Sequence, residues 1–163
     1  MSSTLTPTVF TTAIDDRYFE DYIPGNIHVF GSIAVEEEEI LSFARRFDPQ
    51  DFHTDPEKAA QGPFGGLIAS GWHTAGLMMR LLCEHYLTQV ASLASPGINE
   101  LRWTRPVRPG DLLSLRVTVV DAVPSRSKPD RGVVTSLVEV FNQAEELVLS
   151  MTALNMVGRR PAT

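Results

Sequence analysis

At 163 residues the chain is long enough for one domain with a substantial core, and its 43% hydrophobic and 21% charged residues are typical of a globular protein. The formal net charge of −6 argues against nucleic-acid binding, and no apolar run is long enough to span a membrane. The single cysteine, Cys83, excludes an intrachain disulfide and, with an N-terminus unlike a secretory signal, indicates a cytoplasmic protein.

The first third of the chain predicts a strand and a helix that lead into a short acidic stretch. Residues 1–16 are rich in Thr and Ser, and we expect a loosely ordered segment there. A strand is predicted over 27–35. A helix is predicted over 36–47, because acidic residues fill its first turn and arginines its last. The stretch FDPQDFHTDPE, residues 47–57, therefore lies at the helix end, and a short capped helical turn is predicted over 55–60.

The rest of the chain predicts one long helix followed by strands. Residues 71–87 read GWHTAGLMMRLLCEHYL, which is apolar around nearly the whole circumference and predicts a buried helix. Turn signals separate four predicted strands, over 100–107, 111–123, 132–143 and 146–158. The pattern predicts an α+β fold, in which a curved antiparallel sheet wraps a long buried helix. We expect a single domain over 17–158 and a tail over 159–163.

Asp48 and His53, five residues apart in the acidic stretch, are the first candidates for a functional site. A single His among carboxylates is a poor match to a zinc site, and the spacing is not that of a calcium-binding loop. A His with a carboxylate nearby can hold a water, remove its proton and later donate one. From the residues alone, an acid–base pair and a solvated acidic loop both stay open.

Two longer segments resemble the MaoC-like dehydratases and R-specific enoyl-CoA hydratases. FARRFDPQDFHTDPEKAA is similar to the family pattern of a helix followed by Asp-x-Asn-Pro-(apolar)-His-x-Asp-Pro. Asp48 and His53 then match the catalytic Asp and His. Ser70-Gly71-Trp72 resembles the start of the family's long helix, and RPVRPGDLL, residues 105–113, its Pro-Val-x-x-Gly-Asp turn. The resemblance covers about residues 17–158.

The resemblance implies a hot-dog fold, assembled as a homodimer or higher homo-oligomer, that hydrates a trans-2-enoyl-CoA reversibly to an R-3-hydroxyacyl-CoA. Asp48 and His53 would hold the reacting water, with Asp48 as the main base. The Gly71 amide would stabilise the thioester oxyanion, and Ser70 and Trp72 would border the substrate. The acyl-CoA thioester would be the partner, so that coenzyme A enters only as part of the substrate and no further cofactor or metal is expected.

The chain departs from the family pattern after Asp48, where Gln50-Asp51 replaces Asn-Pro. Gln is longer than Asn, and Asp51 places an additional charge near His53. Two other residues have simple structural interpretations. Trp72 is expected to pack in the core, and Cys83, among leucines, to be a buried small hydrophobe.

Charged residues outside the acidic stretch suggest further contacts. Arg80 and Glu84, four apart on the long helix, predict a partly buried ion pair or a dimer contact. The basic loop at 125–131 is a candidate for the coenzyme A phosphates, with Arg105 and Arg108 as second candidates. A solvated hairpin loop is the simpler interpretation of 125–131.

Two other functions compete with hydration. A hot-dog thioesterase usually has an acid on the buried helix, whereas no Asp or Glu occurs between Gly71 and Cys83. A non-catalytic acyl-thioester-binding module has no need to retain Asp48 and His53, although the change at Gln50-Asp51 leaves it open.

Overall fold

Five antiparallel strands form one sheet, in a computed structural model that describes residues 5–163. The strands are β1 (Ile27–Ala34), β2 (Ser92–Trp103), β3 (Leu112–Pro124), β4 (Arg131–Phe141) and β5 (Leu147–Gly158). Across the sheet they are ordered β1-β3-β4-β5-β2, so that β1 and β2 are the edges. The predicted α+β class with an antiparallel sheet is confirmed.

The burial pattern of the central strand β4 shows that one face of the sheet lies against the core. Every second residue of β4 is buried and the residues between are half-buried. Val134, Val138 and Val140 are at most 1% exposed. Because successive side chains in a strand point to opposite faces, this alternation aligns an apolar face against the helices.

Along the sequence, four helices follow β1 and precede β2: α1 (Glu37–Phe47), α2 (Asp51–Thr54), α3 (Pro56–Gln61) and α4 (Gly71–His85). The long helix α4 packs on the sheet through Leu77, Leu81 and Leu82, which belong to the same core cluster as the valines of β4. Within residues 5–163, no helix has the length and hydropathy that a bilayer crossing requires.

Helix α4 buries one face rather than its whole circumference. Its buried residues recur every four positions, as the pairs 73–74, 77–78 and 81–82. Met79 and Cys83 are exposed on the opposite face, although their apolar surroundings in the sequence predict burial. Arg80 and Glu84 form an exposed ion pair rather than a partly buried one.

The edge strand β2 differs most from the predicted elements. It begins at Ser92, whereas the turn residues Pro96-Gly97 indicate a loop before residue 100. An edge strand accommodates such residues because one side of its backbone is unpaired. Its pairing with β5 is interrupted by register shifts, and Ala94 and Glu100 have positive φ angles of 105° and 55°.

Residues 8–16, expected to be loosely ordered, pack against the domain. The Thr8 amide donates to the Ile27 carbonyl at 2.6 Å. The Phe10 ring stacks on His28 at 3.9 Å between centroids, and the Arg17 guanidinium lies 3.6 Å from the Phe10 ring centre. These aromatic contacts hold the segment against the domain despite its polar composition. The part of the predicted loose segment at residues 1–4 lies outside the described residues.

Candidate active site

The acidic stretch folds so that Asp48 and His53 meet. Asp48 is the C-cap residue that follows α1, and its amide donates to the Ala44 carbonyl at 2.9 Å. The chain then turns at Gln50 into the single turn of α2, which contains His53. As a result the Asp48 Oδ2 and His53 Nε2 atoms lie 3.4 Å apart.

Two donors hold the Asp48 carboxylate, one on each oxygen. Gln50 Nε2 donates to Oδ1 at 2.6 Å, and Ser70 Oγ donates to Oδ2 at 2.7 Å. Burial by itself raises the pKa of Asp48, but these two hydrogen bonds and the nearby His53 outweigh it, so the pKa lies below its ordinary value. Asp48 is therefore an anion, and one of its two donors is the residue that departs from the family pattern.

The His53 ring is buried, with 6% of the residue exposed, and a hydrogen bond to the backbone fixes its orientation. His53 Nδ1 lies 2.7 Å from the Ile68 carbonyl oxygen. A carbonyl oxygen only accepts, so Nδ1 carries a proton and donates it. Nε2 is left as the atom that gains or loses a proton, and it faces Asp48. The Phe52 ring packs edge-on against His53, with ring centroids 4.4 Å apart.

The start of α4 forms the other side of the site. Ser70 is fully buried and caps α4, accepting a hydrogen bond from the Trp72 amide at 3.3 Å. Gly71 is the first helical residue, so its N–H has no acceptor within the helix. The Trp103 ring covers the Gly71 Cα, and Trp103 Nε1 donates to the Gly71 carbonyl at 2.9 Å.

A pocket of about 390 Å³ opens beside Asp48 and the start of α4. Its wall includes Asp48, Phe64, Gly71, Trp72, Trp103 and Arg105. Three aromatic rings and one carboxylate bordering a single concave surface suit an apolar ligand that reacts at one polar end.

The structure brings together the predicted site residues Asp48, His53, Ser70 and Gly71. Trp72 lies at the same pocket but is 60% exposed, so the expectation that it packs in the core is wrong. Asp51 turns away from the pair and lies 3.4 Å from Lys58 Nζ.

Sequence reasoning missed three contributors to the site. Gln50 holds Asp48, Trp103 covers Gly71, and Phe64 lines the pocket and packs on Phe52. Only Gln50 had a local signal, since it lies two residues from Asp48.

Basic residues near the pocket come from the segment after β2. Arg105 lies in the pocket wall, 2.7 Å from a Glu146 carboxylate oxygen, and Arg108 donates to the Phe64 carbonyl at 2.6 Å. No residue of the 125–131 loop lines this pocket. Among residues 5–163, no three His, Cys, Asp or Glu side chains converge in a way that could hold a metal ion.

A sheet wrapped on one long helix, with an Asp–His pair beside the helix N-terminus, defines the class of protein. The family model described as the MaoC-like domain matches residues 10–142, and the chain belongs to this family. A crystal structure of a MaoC-like dehydratase from Rhodospirillum rubrum superimposes with a TM-score of 0.82 at 43% identity, over 90% of this chain and 99% of that one.

Relatives with related sequences extend the comparison. YdeM of Bacillus subtilis, an uncharacterised protein, is 34% identical over 77% of this chain and 88% of its own length. The 3-hydroxyacyl-thioester dehydratase Z of Mycobacterium tuberculosis is 31% identical over 77% of this chain and 85% of its own length. A solved Mycobacterium tuberculosis protein described as a double hotdog fold has a TM-score of 0.72 at 18% identity, a likeness of fold alone. The predicted family and hot-dog fold are confirmed.

Proposed function

We propose that this protein is a hydro-lyase that reversibly hydrates trans-2-enoyl-CoA thioesters to R-3-hydroxyacyl-CoA. The observation that carries the proposal is the 3.4 Å approach of Asp48 Oδ2 to His53 Nε2 beside an aromatic pocket. The dehydratase name of one relative supports the reaction class. R stereochemistry follows from the resemblance of the motif to R-specific hydratases.

Asp48 and His53 are placed to hold one water molecule. A water beside the pair is within hydrogen-bond reach of both Oδ2 and Nε2, because those atoms are only 3.4 Å apart. The hydrogen bonds from Gln50 and Ser70 keep the Asp48 carboxylate ionised and directed at this water. The Ile68 carbonyl keeps Nε2 of His53 turned to the same point.

In the hydration direction the water oxygen bonds to C3 while Asp48 accepts the released proton. The electron pair of the C2–C3 double bond moves onto the thioester oxygen, and the Gly71 N–H stabilises this oxyanion. Protonated His53 then gives its Nε2 proton to C2 as the electron pair returns to form the C2–H bond. Transfer of the proton from Asp48 to His53 restores both groups, and dehydration runs the same steps in reverse.

We also propose that the active protein is a homodimer or higher homo-oligomer. The edge strand β2 is exposed along nearly its whole length, including the apolar residues Leu93, Ile98 and Trp103. The exposed face of α4 adds Trp72 and Met79. An unpaired strand edge beside an apolar patch favours pairing with a second copy.

The test is the rate of crotonyl-CoA hydration, followed as loss of the enoyl absorbance, with free thiol assayed in parallel. We expect Asp48→Asn and His53→Gln to lower kcat by about 10²–10⁴-fold, the usual contribution of general acid–base groups. Because His53 is buried, circular dichroism and a melting curve must show that its variant is folded.

Asp51→Asn is the matched control, since it removes a carboxylate from the same stretch that pairs with Lys58. It is expected to keep the wild-type rate. Hydration by the wild type together with full rates in both site variants would show that the mechanism is wrong. Thiol release would indicate a thioesterase, and neither reaction would indicate a binding module.

A further inference from the structure

The Trp103 side chain packs against Gly71, the first residue of α4. A Cβ placed on Gly71 would lie 2.5 Å from Trp103 Cε2 and 2.7 Å from Nε1, so the indole rests directly on the Gly71 backbone. The same indole donates its N–H to the Gly71 carbonyl at 2.9 Å. The ring contact holds the Gly71 Cα and the hydrogen bond holds its carbonyl, which are the backbone atoms that follow the Gly71 N–H.

The position of Trp103 is set by the sheet rather than by α4. Trp103 pairs in register with Leu149 of β5, a residue with no exposed surface. The next amide, that of Thr104, donates to the Val148 carbonyl at 3.0 Å. The ring therefore projects from a backbone that is hydrogen-bonded on both sides of the residue.

The first turn of α4 is thus held from two directions. On one side Ser70 Oγ bonds Asp48 at 2.7 Å, and on the other Gly71 O bonds Trp103 at 2.9 Å. The free N–H of Gly71 lies between these two attachments. An oxyanion donor works only when it is within about 2.7–3.1 Å of the developing charge, so small shifts of this turn matter.

We propose that Trp103 is a positioning residue that sets the Gly71 N–H relative to Asp48 and thereby aligns the oxyanion donor with the reacting water. This inference rests on the proposed hydratase function. Trp103 acts through Gly71 and not on the reacting atoms. Its effect therefore falls on the transition state, in which the thioester oxygen becomes charged, more than on substrate binding.

The kinetic test compares Trp103→Phe with wild type on crotonyl-CoA. Phe keeps an aromatic ring at the site and removes the indole N–H. We expect kcat to fall about tenfold, because a tenfold change in rate corresponds to the free energy of about one hydrogen bond. KM should change less than about threefold. A rise in KM at unchanged kcat would show that Trp103 contributes only to substrate binding, and this would overturn the proposal. No change in either constant would overturn it as well.

A second readout does not depend on activity. In ¹⁵N relaxation measurements the Gly71 amide of wild type should be as rigid as the helix interior, with an order parameter near about 0.85. Trp103→Phe should lower it, whereas Trp72→Phe should not, because the Trp72 indole N–H has no bond to Gly71.

The two readouts separate failure of the inference from failure of the proposed function. If wild type does not hydrate crotonyl-CoA, the proposed function fails, and a Gly71 amide that stays rigid in Trp103→Phe overturns the positioning role independently. If wild type is active and Gly71 stays rigid with kcat unchanged, only the inference is lost.

Discussion

Replacing Gly71 by Ala tests how tightly the start of α4 is packed. The new Cβ would lie 2.5, 2.7 and 2.8 Å from three atoms of the Trp103 indole, against an ordinary contact of 3.4–4 Å. The ring must therefore retreat by about 1 Å, which also breaks its hydrogen bond to the Gly71 carbonyl. Trp103 cannot retreat freely, because its backbone pairs with β5.

The expected cost follows from these two losses. Overpacking of this kind costs about 1–3 kcal/mol, and the lost hydrogen bond about 0.5–1.5 kcal/mol. Ala restores up to about 1 kcal/mol because it has less backbone freedom to lose than Gly. We expect Gly71→Ala to lower the free energy of unfolding by about 0.5–4.5 kcal/mol in urea titrations at fixed protein concentration.

Helix α4 supplies its own control. A Cβ on Gly76 would meet no atom within 4 Å, so Gly76→Ala should stabilise the protein by up to about 1 kcal/mol. In a Trp103→Ala background the Gly71→Ala substitution should cost almost nothing, so the coupling between the two positions should equal the cost of Gly71→Ala in the wild type. Equal effects of Gly71→Ala and Gly76→Ala, with no coupling to Trp103, would show that the Trp103 ring does not pack on Gly71.

Two further predictions concern protonation. Ser70→Ala removes a donor to Asp48, so the pKa of Asp48 should rise toward its ordinary value and the acid limb of kcat/KM should move to higher pH; an unchanged carboxyl ¹³C titration would contradict this. Burial lowers the pKa of His28, so folding stability should fall as pH drops through the ordinary histidine value of about 6.5. His28→Phe should flatten this fall in urea midpoints measured on either side of that pH, and an equally steep fall in the variant would assign it to other groups.

Local patterns predicted those parts of the site that lie close together in the sequence. Asp48 and His53 are five residues apart, and one helix end and one turn suffice to bring them together. The start of α4 at Gly71 follows from the capping residue Ser70 and the apolar run behind it. Strands β3, β4 and β5 follow from alternation between clear turn signals.

No local sequence pattern predicts the contacts between distant segments. Trp103 contacts Gly71 only because β2 runs back along the sheet edge, and the residues near either position do not predict this contact. The beginning of β2 was missed because Pro96-Gly97 indicates a turn, whereas an edge strand tolerates both residues. Exposure of Trp72 and Cys83 was missed because apolarity predicts burial without saying which face of the helix the core covers.

Gln50 shows how a departure from a family pattern acquires a physical meaning. As a replacement for Asn it indicated only a longer side chain, but its amide donates to Asp48 Oδ1 at 2.6 Å. The neighbouring Asp51 pairs with Lys58. The two changed residues therefore leave the Asp48–His53 approach intact, and one of them supports it.

In the proposed reaction, Asp48 and His53 act as one unit on a single water. The most direct measurement is kcat for crotonyl-CoA hydration by Asp48→Asn, His53→Gln and the double variant, each confirmed to be folded. Residues that act as a unit are strongly non-additive, so the double variant should be no slower than the slower single variant within about threefold. Losses that multiply, or a single variant that keeps the wild-type rate, would contradict the shared role of the pair.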